Sequence, residues 1–186
     1  MKKNIVLIGM PGSGKTAIGR IIAQKLGRDF VDVDEFIKKQ TGRDTADHLK
    51  ELGDKGFLRF EAEIVKKIQG DNLVVASSGS VPLQKEGIDH LKDNSALIWM
   101  DIPIDIISKR VSSRSDGVSR IVGAETMTIE EIRELRLQKY QENHDFYFTI
   151  EKELPRENVA QKLLSLIQEN EICGHKNRKR PGNGFF

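Results

Sequence analysis

Gly9, Gly14, Lys15 and Thr16 stand at the spacing G-x-x-x-x-G-K-[ST] within residues 6–20, VLIGMPGSGKTAIGR. At Gly12 and Gly14 the backbone can reach angles that a Cβ forbids, so successive N–H groups can turn inward on phosphate oxygens. Lys15 supplies a point charge for the terminal phosphates, and the Thr16 hydroxyl an oxygen ligand for the Mg²⁺ that accompanies a nucleoside triphosphate. Such a string carries this meaning only where a strand enters it and a helix leaves it. Residues 5–8 form a short apolar run before it, and residues 18–26 follow with apolar residues at helical spacing. The helix would add the positive end of its dipole to the cradle. An ordinary strand–turn–helix joint is the bland alternative, and motif plus context weigh against it.

Other chemistry-bearing residues gather at the ends of later apolar runs. Residues 29–34 read as a short buried strand whose end carries Asp32 and Asp34 at i and i+2, on one face of an extended segment. Carboxylates at the end of a central strand sit where open α/β sheets bind ligands. One would steer the water shell of Mg²⁺ and the other accept a proton from an attacking hydroxyl; helix capping by Asp34 with a solvated Asp32 is the competing reading. Glu61 interrupts an apolar helical stripe one turn from Phe57 and Val65, which costs free energy unless the carboxylate is paired or faces a substrate. Ser77-Ser78-Gly79-Ser80 closes another strand with residues small enough for a ligand to approach the backbone, or else makes a simple turn into Pro82. Residues 112–126, SSRSDGVSRIVGAET, lose all apolar periodicity and carry Arg114 and Arg120. They read as a mobile lid that excludes water and brings a guanidinium to the phosphates, or as a solvated loop.

These residues need a strand–helix alternation to position them. Strands are expected at 5–8, 29–34, 72–76, 96–100 and 146–150. Helices are expected at 35–42, 44–52, 54–68 with Phe57, Phe60, Ile64, Val65 and Ile68 inward, 103–111, 128–144 and 156–172. In the helix at 128–144, Ile129, Ile132, Leu135 and Tyr140 lie toward the core with Arg136 among them. This is an α/β pattern with a central parallel five-stranded sheet, a P-loop three-layer αβα sandwich carrying substrate-binding helices at about 34–62 and a lid at about 112–126.

The 186 residues and 38% hydrophobic content suit one buried core, giving one domain over 1–172 and a basic tail at 173–186 that is expected to be disordered. The single cysteine, Cys173, excludes an internal disulfide framework. No signal peptide or membrane-length apolar run is seen, and the expectation is a cytoplasmic monomer. The formal charge of +2 becomes negative once Lys176, Arg178, Lys179 and Arg180 of the tail are set aside, so nothing on the body suggests a nucleic-acid surface. His48, His90, His144 and His175 have no ligand-like spacing and read as structural or surface residues.

Over residues 4–166 the chain resembles the shikimate kinase family. The resemblance is carried by GMPGSGKTAIGR, by DVDEFIKKQTGR with Asp32 and Asp34, by Phe57 and Glu61, by the loop with Arg120, and by R-x-x-x-Y at Arg136 and Tyr140. It implies ATP as co-substrate on Gly12, Ser13, Gly14, Lys15, Thr16 and Ala17, with Arg120 on the phosphates and Arg110 near the adenine. It further implies Mg²⁺ at Thr16 and Asp32, an acceptor held by Asp34, Glu61, Gly79 and Arg136, and catalysis by Lys15, Asp34 and Arg120. Two departures fall in the acceptor site. Where the family shows Phe-Arg-x-x-Glu this chain has Phe57-Leu58-Arg59-Phe60-Glu61, and where it shows three glycines this chain has Ser78-Gly79-Ser80. Arg59 lies about 100° round the helix from position 58 and cannot take over. The expected reaction is phosphorylation of a hydroxyl, with shikimate the first acceptor. A related kinase for another polyol, sugar acid or nucleotide, or a nucleotide-binding module without phosphoryl transfer, remain as rivals.

Overall fold

The computed structural model describes residues 2–113 and 121–174. Its sheet has five strands, β1 (Asn4–Ile8), β2 (Asp29–Asp32), β3 (Leu73–Ala76), β4 (Ser95–Asp101) and β5 (Phe146–Thr149), in the order β2-β3-β1-β4-β5 with every pairing parallel. Parallel neighbours require crossovers, and the chain supplies helices for them: α1 (Lys15–Leu26), α2 (Val33–Thr41), α3 (Thr45–Val65), α4 (Lys85–Lys92), α5 (Ile104–Ser112), α6 (Ile129–Asn143) and α7 (Arg156–Glu169). Side chains alternate between the faces of a strand, yet Ile5, Val6, Leu7 and Ile8 are all fully buried. Both faces of β1 are therefore covered, α1 packing with α7 and α3 with α4, which makes a three-layer αβα sandwich of the P-loop type.

The sheet differs from the sequence reading at β2. The strand stops at Asp32, it lies at an edge rather than the centre, and only Asp32 of its four residues is buried. Asp32 is the N-cap of α2, its Oδ1 accepting from the backbone N–H of Asp34 at 3.0 Å and of Glu35 at 3.2 Å. Asp34 thus belongs to the first turn of a helix, and the i, i+2 shared face does not exist. Capping chemistry, which competes with strand propagation wherever Asp precedes an apolar helical pattern, won at this position. The helices expected at 44–52 and 54–68 merge into α3, with a kink at Gly53, whose φ of 63° and ψ of 174° are not helical. Leu135, expected inward, is 64% exposed. Arg136 and Tyr140 occupy the inward face of α6, so the buried face of this helix is partly polar and its apolar spacing misleads. Residues 121–126, read as part of a mobile lid, form turns in which Ile121 and Val122 are buried. The closing helix stops at Glu169. The basic tail from His175 onward lies outside the described residues. No helix among the described residues is long and apolar enough to cross a membrane.

Asn4 fixes the register at the amino end of the central strands. Its amide donates to the Gly70 carbonyl at 2.9 Å, and its Oδ1 accepts from the Leu73 N–H at 2.9 Å. Removing the side chain leaves a buried donor without a partner, so Asn4→Ala should lower the unfolding free energy by about 2 kcal/mol. A urea titration would show this as a lower midpoint at unchanged slope. An unmoved midpoint would mean that the bridge contributes nothing.

Candidate active site

All five strands point their carboxyl ends at one cleft of about 570 Å³, whose wall includes Gly12, Asp32, Ser77, Ile102 and Ile150 from the segments that follow or close them. This is where an open parallel sheet collects ligand-binding groups, beside the strand at which the order reverses. β1 delivers the chain into Gly9–Lys15. Gly14 is the N-cap of α1 with φ 97° and ψ 9°, a left-handed conformation that glycine adopts without a Cβ penalty. Among the described residues no side chain caps this helix, so its first-turn N–H groups stay available to an anion at the positive end of the dipole. Ser13, Lys15, Thr16 and Ala17 all line the same part of the cleft.

Lys15 is buried at 6% exposure, its Nζ donating to the carbonyls of Gly9 and Met10 at 2.8 Å each. Burial lowers its pKa from 10.5 to about 8, and the carboxylates of Asp34 and Asp32 counteract the fall. Thr16 Oγ1 donates to Asp32 Oδ2 at 2.6 Å. A hydroxyl and a carboxylate so close, both reached from the phosphate loop, are the hard-oxygen donor pair that suits Mg²⁺. Arg110 lies across the outer side of the loop, donating to the Gly12 carbonyl at 3.2 Å and to Glu153 Oε1 at 3.3 Å. Arg114 and Arg120 lie outside the described residues.

The same cleft is lined by Asp34, Glu61, Gly79 and Arg136, so every described residue read from the sequence as acceptor-binding borders it. Thr45 Oγ1 donates to Asp34 Oδ1 at 3.2 Å, a link from α3 to the first turn of α2. Arg136 is 2% exposed and donates from Nη2 to the Val122 carbonyl at 2.8 Å. A Cβ at Gly79 would lie 2.6 Å from Pro11 Cδ and 2.8 Å from Arg136 Nη1, so glycine is needed there for close approach. Tyr140 Oη fixes the same residue by donating to the Gly79 carbonyl at 2.8 Å.

What the sequence did not disclose is the clasp on Glu61. Its Oε1 accepts from Ser78 Oγ at 2.5 Å and Ser80 Oγ at 3.0 Å, whereas Oε2 is buried without a hydrogen-bond partner among the described residues. The glutamate is 1% exposed, and desolvation raises its pKa from 4.5 to about 7 against the opposing serine hydrogen bonds. The one available signal was the coincidence of a carboxylate in an apolar stripe with two new hydroxyls downstream, and spacing alone could not show that they meet.

A glycine loop that ends the central parallel strand and opens a helix, with a hydroxyl–carboxylate pair at its mouth, defines a P-loop protein. The shikimate kinase family model matches residues 11–168. A shikimate kinase of Thermodesulfovibrio yellowstonii is 35% identical over 163 residues, covering 87% of this chain and 93% of that protein. The structure of a shikimate kinase from Acinetobacter baumannii in complex with shikimate superposes with a TM-score of 0.79 at 28% identity, covering 92% of this chain and 96% of that one. The chain belongs to the shikimate kinase family. It also resembles threonine synthase-like 1 of Mus musculus, at 36% identity over 170 residues, but spans 22% of the length of that relative.

The raised pKa of Glu61 has a consequence for stability. An acid that titrates near 4.5 when unfolded and near 7 when folded is held protonated by the fold, so its contribution is full below pH 4.5 and is lost as pH rises to 7. The loss amounts to about 3 kcal/mol. The stability of Glu61→Gln relative to the unmodified protein should therefore climb between pH 4.5 and 7 and then level off. Urea unfolding across that range checks it, and a pH-independent difference would show that Glu61 titrates normally.

Proposed function

We propose that this protein transfers the γ-phosphate of ATP to a hydroxyl group of a small carboxylic acid, with shikimate the first candidate acceptor. The observation that carries the reading is the joining of the phosphate loop, Asp34 and Arg136 in one cleft of about 570 Å³. Membership of a family that uses ATP supports the donor, and the shikimate bound to the Acinetobacter baumannii relative supports the acceptor. In this reading the first-turn amides of α1 and the Lys15 ammonium hold the phosphates, neutralising charge that develops as the phosphoryl group moves. Thr16 and Asp32 would hold Mg²⁺, which when bound supplies further neutralisation of the phosphate oxygens. Asp34 orients the acceptor hydroxyl and accepts its proton, while Arg136 grips the acceptor carboxylate. The bonds of Lys15 Nζ to the Gly9 and Met10 carbonyls, which keep the ammonium within the loop, support its phosphate-holding role.

The experiment is acceptor-dependent ADP release measured with shikimate and with a panel of hydroxylated acids and neutral polyols. Turnover with shikimate at a micromolar to low-millimolar KM supports the reading; turnover only with other hydroxyl compounds moves the acceptor elsewhere, and no turnover with any removes it. Lys15→Ala should cost on the order of 10²-fold or more in kcat while the circular-dichroism spectrum is unchanged. Asp32→Asn preserves a side chain that caps helices well but removes the charge beside Thr16. It should leave the melting temperature nearly unmoved and weaken the magnesium-dependent part of ATP affinity about tenfold. Equal loss with and without magnesium would take Asp32 out of the metal site.

A further inference from the structure

We propose that Glu61 stands in the acceptor site as a neutral carboxylic acid, its Oε1 taking the hydroxyls of Ser78 and Ser80, so that an acceptor's carboxylate beside Arg136 meets no second anion until Glu61 ionises. This rests on the reading above that the acceptor is an acid gripped by Arg136. Among the described residues Oε1 takes two hydroxyl hydrogen bonds and Oε2 takes none, although the residue is 1% exposed and lines the cleft. A buried carboxyl group in that arrangement has a carbonyl-like oxygen and a hydroxyl-like one. An ionised group would leave a desolvated charge with no donor on Oε2, which is the costlier state. The position that would otherwise bring a cation to Glu61, residue 58, is a half-buried leucine packed on the core.

The surroundings fix the direction. Asp34, from the first turn of α2, places a negative charge near Glu61 and favours its protonation. Arg136 of α6 acts the other way and less strongly, and its Nη2 is occupied by the Val122 carbonyl. Tyr140, one turn further along α6, donates to the Gly79 carbonyl. Arg136 Nη1 lies against Gly79, between the two serines that hold Glu61, so the guanidinium and the carboxylic acid flank one short stretch of backbone. An acceptor carboxylate lying there meets one cation and, while Glu61 is protonated, no buried anion behind the serines. When Glu61 loses its proton the same carboxylate faces a second negative charge. The site is therefore built for an acid acceptor at neutral or lower pH, and its affinity for one falls as pH rises; a neutral polyol has no reason to follow that curve.

The test is isothermal titration of the whole protein with shikimate between pH 6 and 8.5 in buffers of different ionisation enthalpy, alongside KM and kcat over the same range. Affinity should fall, and KM rise, on the order of tenfold across the interval, with kcat much less affected. Near pH 7.5 binding should draw protons from the buffer. Lys15, whose pKa also lies near 8, is a second source of uptake, and Glu61→Gln separates the two. The amide introduced by Glu61→Gln stays neutral at every pH, so this variant should flatten the affinity profile near its acidic limit and abolish the uptake. Ser78→Ala removes a hydrogen bond that favours the ionised form and should move the midpoint to higher pH. Shikimate binding with a flat profile, or proton uptake that survives in Glu61→Gln, overturns this inference and leaves the acceptor reading standing. No binding of shikimate even at pH 6 overturns both.

Discussion

The complete burial of β1 is the constraint from which the site follows. Ile5 to Ile8 are covered on both faces and paired in parallel on both edges, so the backbone of this strand meets solvent only where it ends. Parallel pairing turns the carboxyl ends of all the other strands to the same side. Whatever leaves β1 must reverse direction tightly to start a covering helix, and a left-handed Gly14 does this without spending a side chain on the helix cap. The same turn that closes the fold leaves unsatisfied amides at the head of α1, so anion affinity is a by-product of how a fully buried strand hands over to its helix.

A cleft made in this way is lined by groups that the fold has to bury in charged or potentially charged form. Lys15, Glu61 and Arg136 are each at least nine-tenths inaccessible, and each is accommodated by a different device. The ammonium is held by two main-chain carbonyls, the guanidinium by the Val122 carbonyl, and the carboxyl group by two hydroxyls. Main-chain acceptors are fixed by secondary structure and cost no side-chain ordering, which suits the two cations. An acid needs donors, and this wall of the cleft finds them in serine side chains. Arg136 also shows why Val122 is buried: the carbonyl that satisfies the guanidinium belongs to a turn anchored on α3 through the Gly123 N–H and Asp54 Oδ1 at 3.1 Å. The carboxyl-terminal part of the expected lid is thus tied to α3 and to Arg136.

The donor half of this arrangement was legible in the sequence because its determinants are local. Glycines, lysine and threonine at fixed offsets act through backbone geometry that neighbouring residues set, and the apolar runs on each side announce the strand and helix. The acceptor half was legible only as a set of names. Asp34, Glu61, Gly79 and Arg136 come from four separate segments, and their meeting in one cleft depends on sheet order and helix packing. Local competition also hid Asp32: extended pairing and helix capping were both open to an aspartate at the end of an apolar run, and tertiary context decided for the cap. Leu135 misled for the reverse reason. A helix that buries an arginine, a tyrosine and an asparagine has no apolar stripe for periodicity to find.

The departures at positions 58 and 78–80 belong together in physical terms. A buried glutamate needs either a cation or neutral donors to be tolerated, and where one is missing the other or protonation must serve. Leucine at 58, packed on the core, offers no cation; serines at 78 and 80 supply two donors but satisfy a single oxygen of Glu61. Two hydroxyls on one oxygen stabilise a charge less than a bidentate guanidinium on both. The carboxyl group therefore settles between the two states near neutrality instead of far below it.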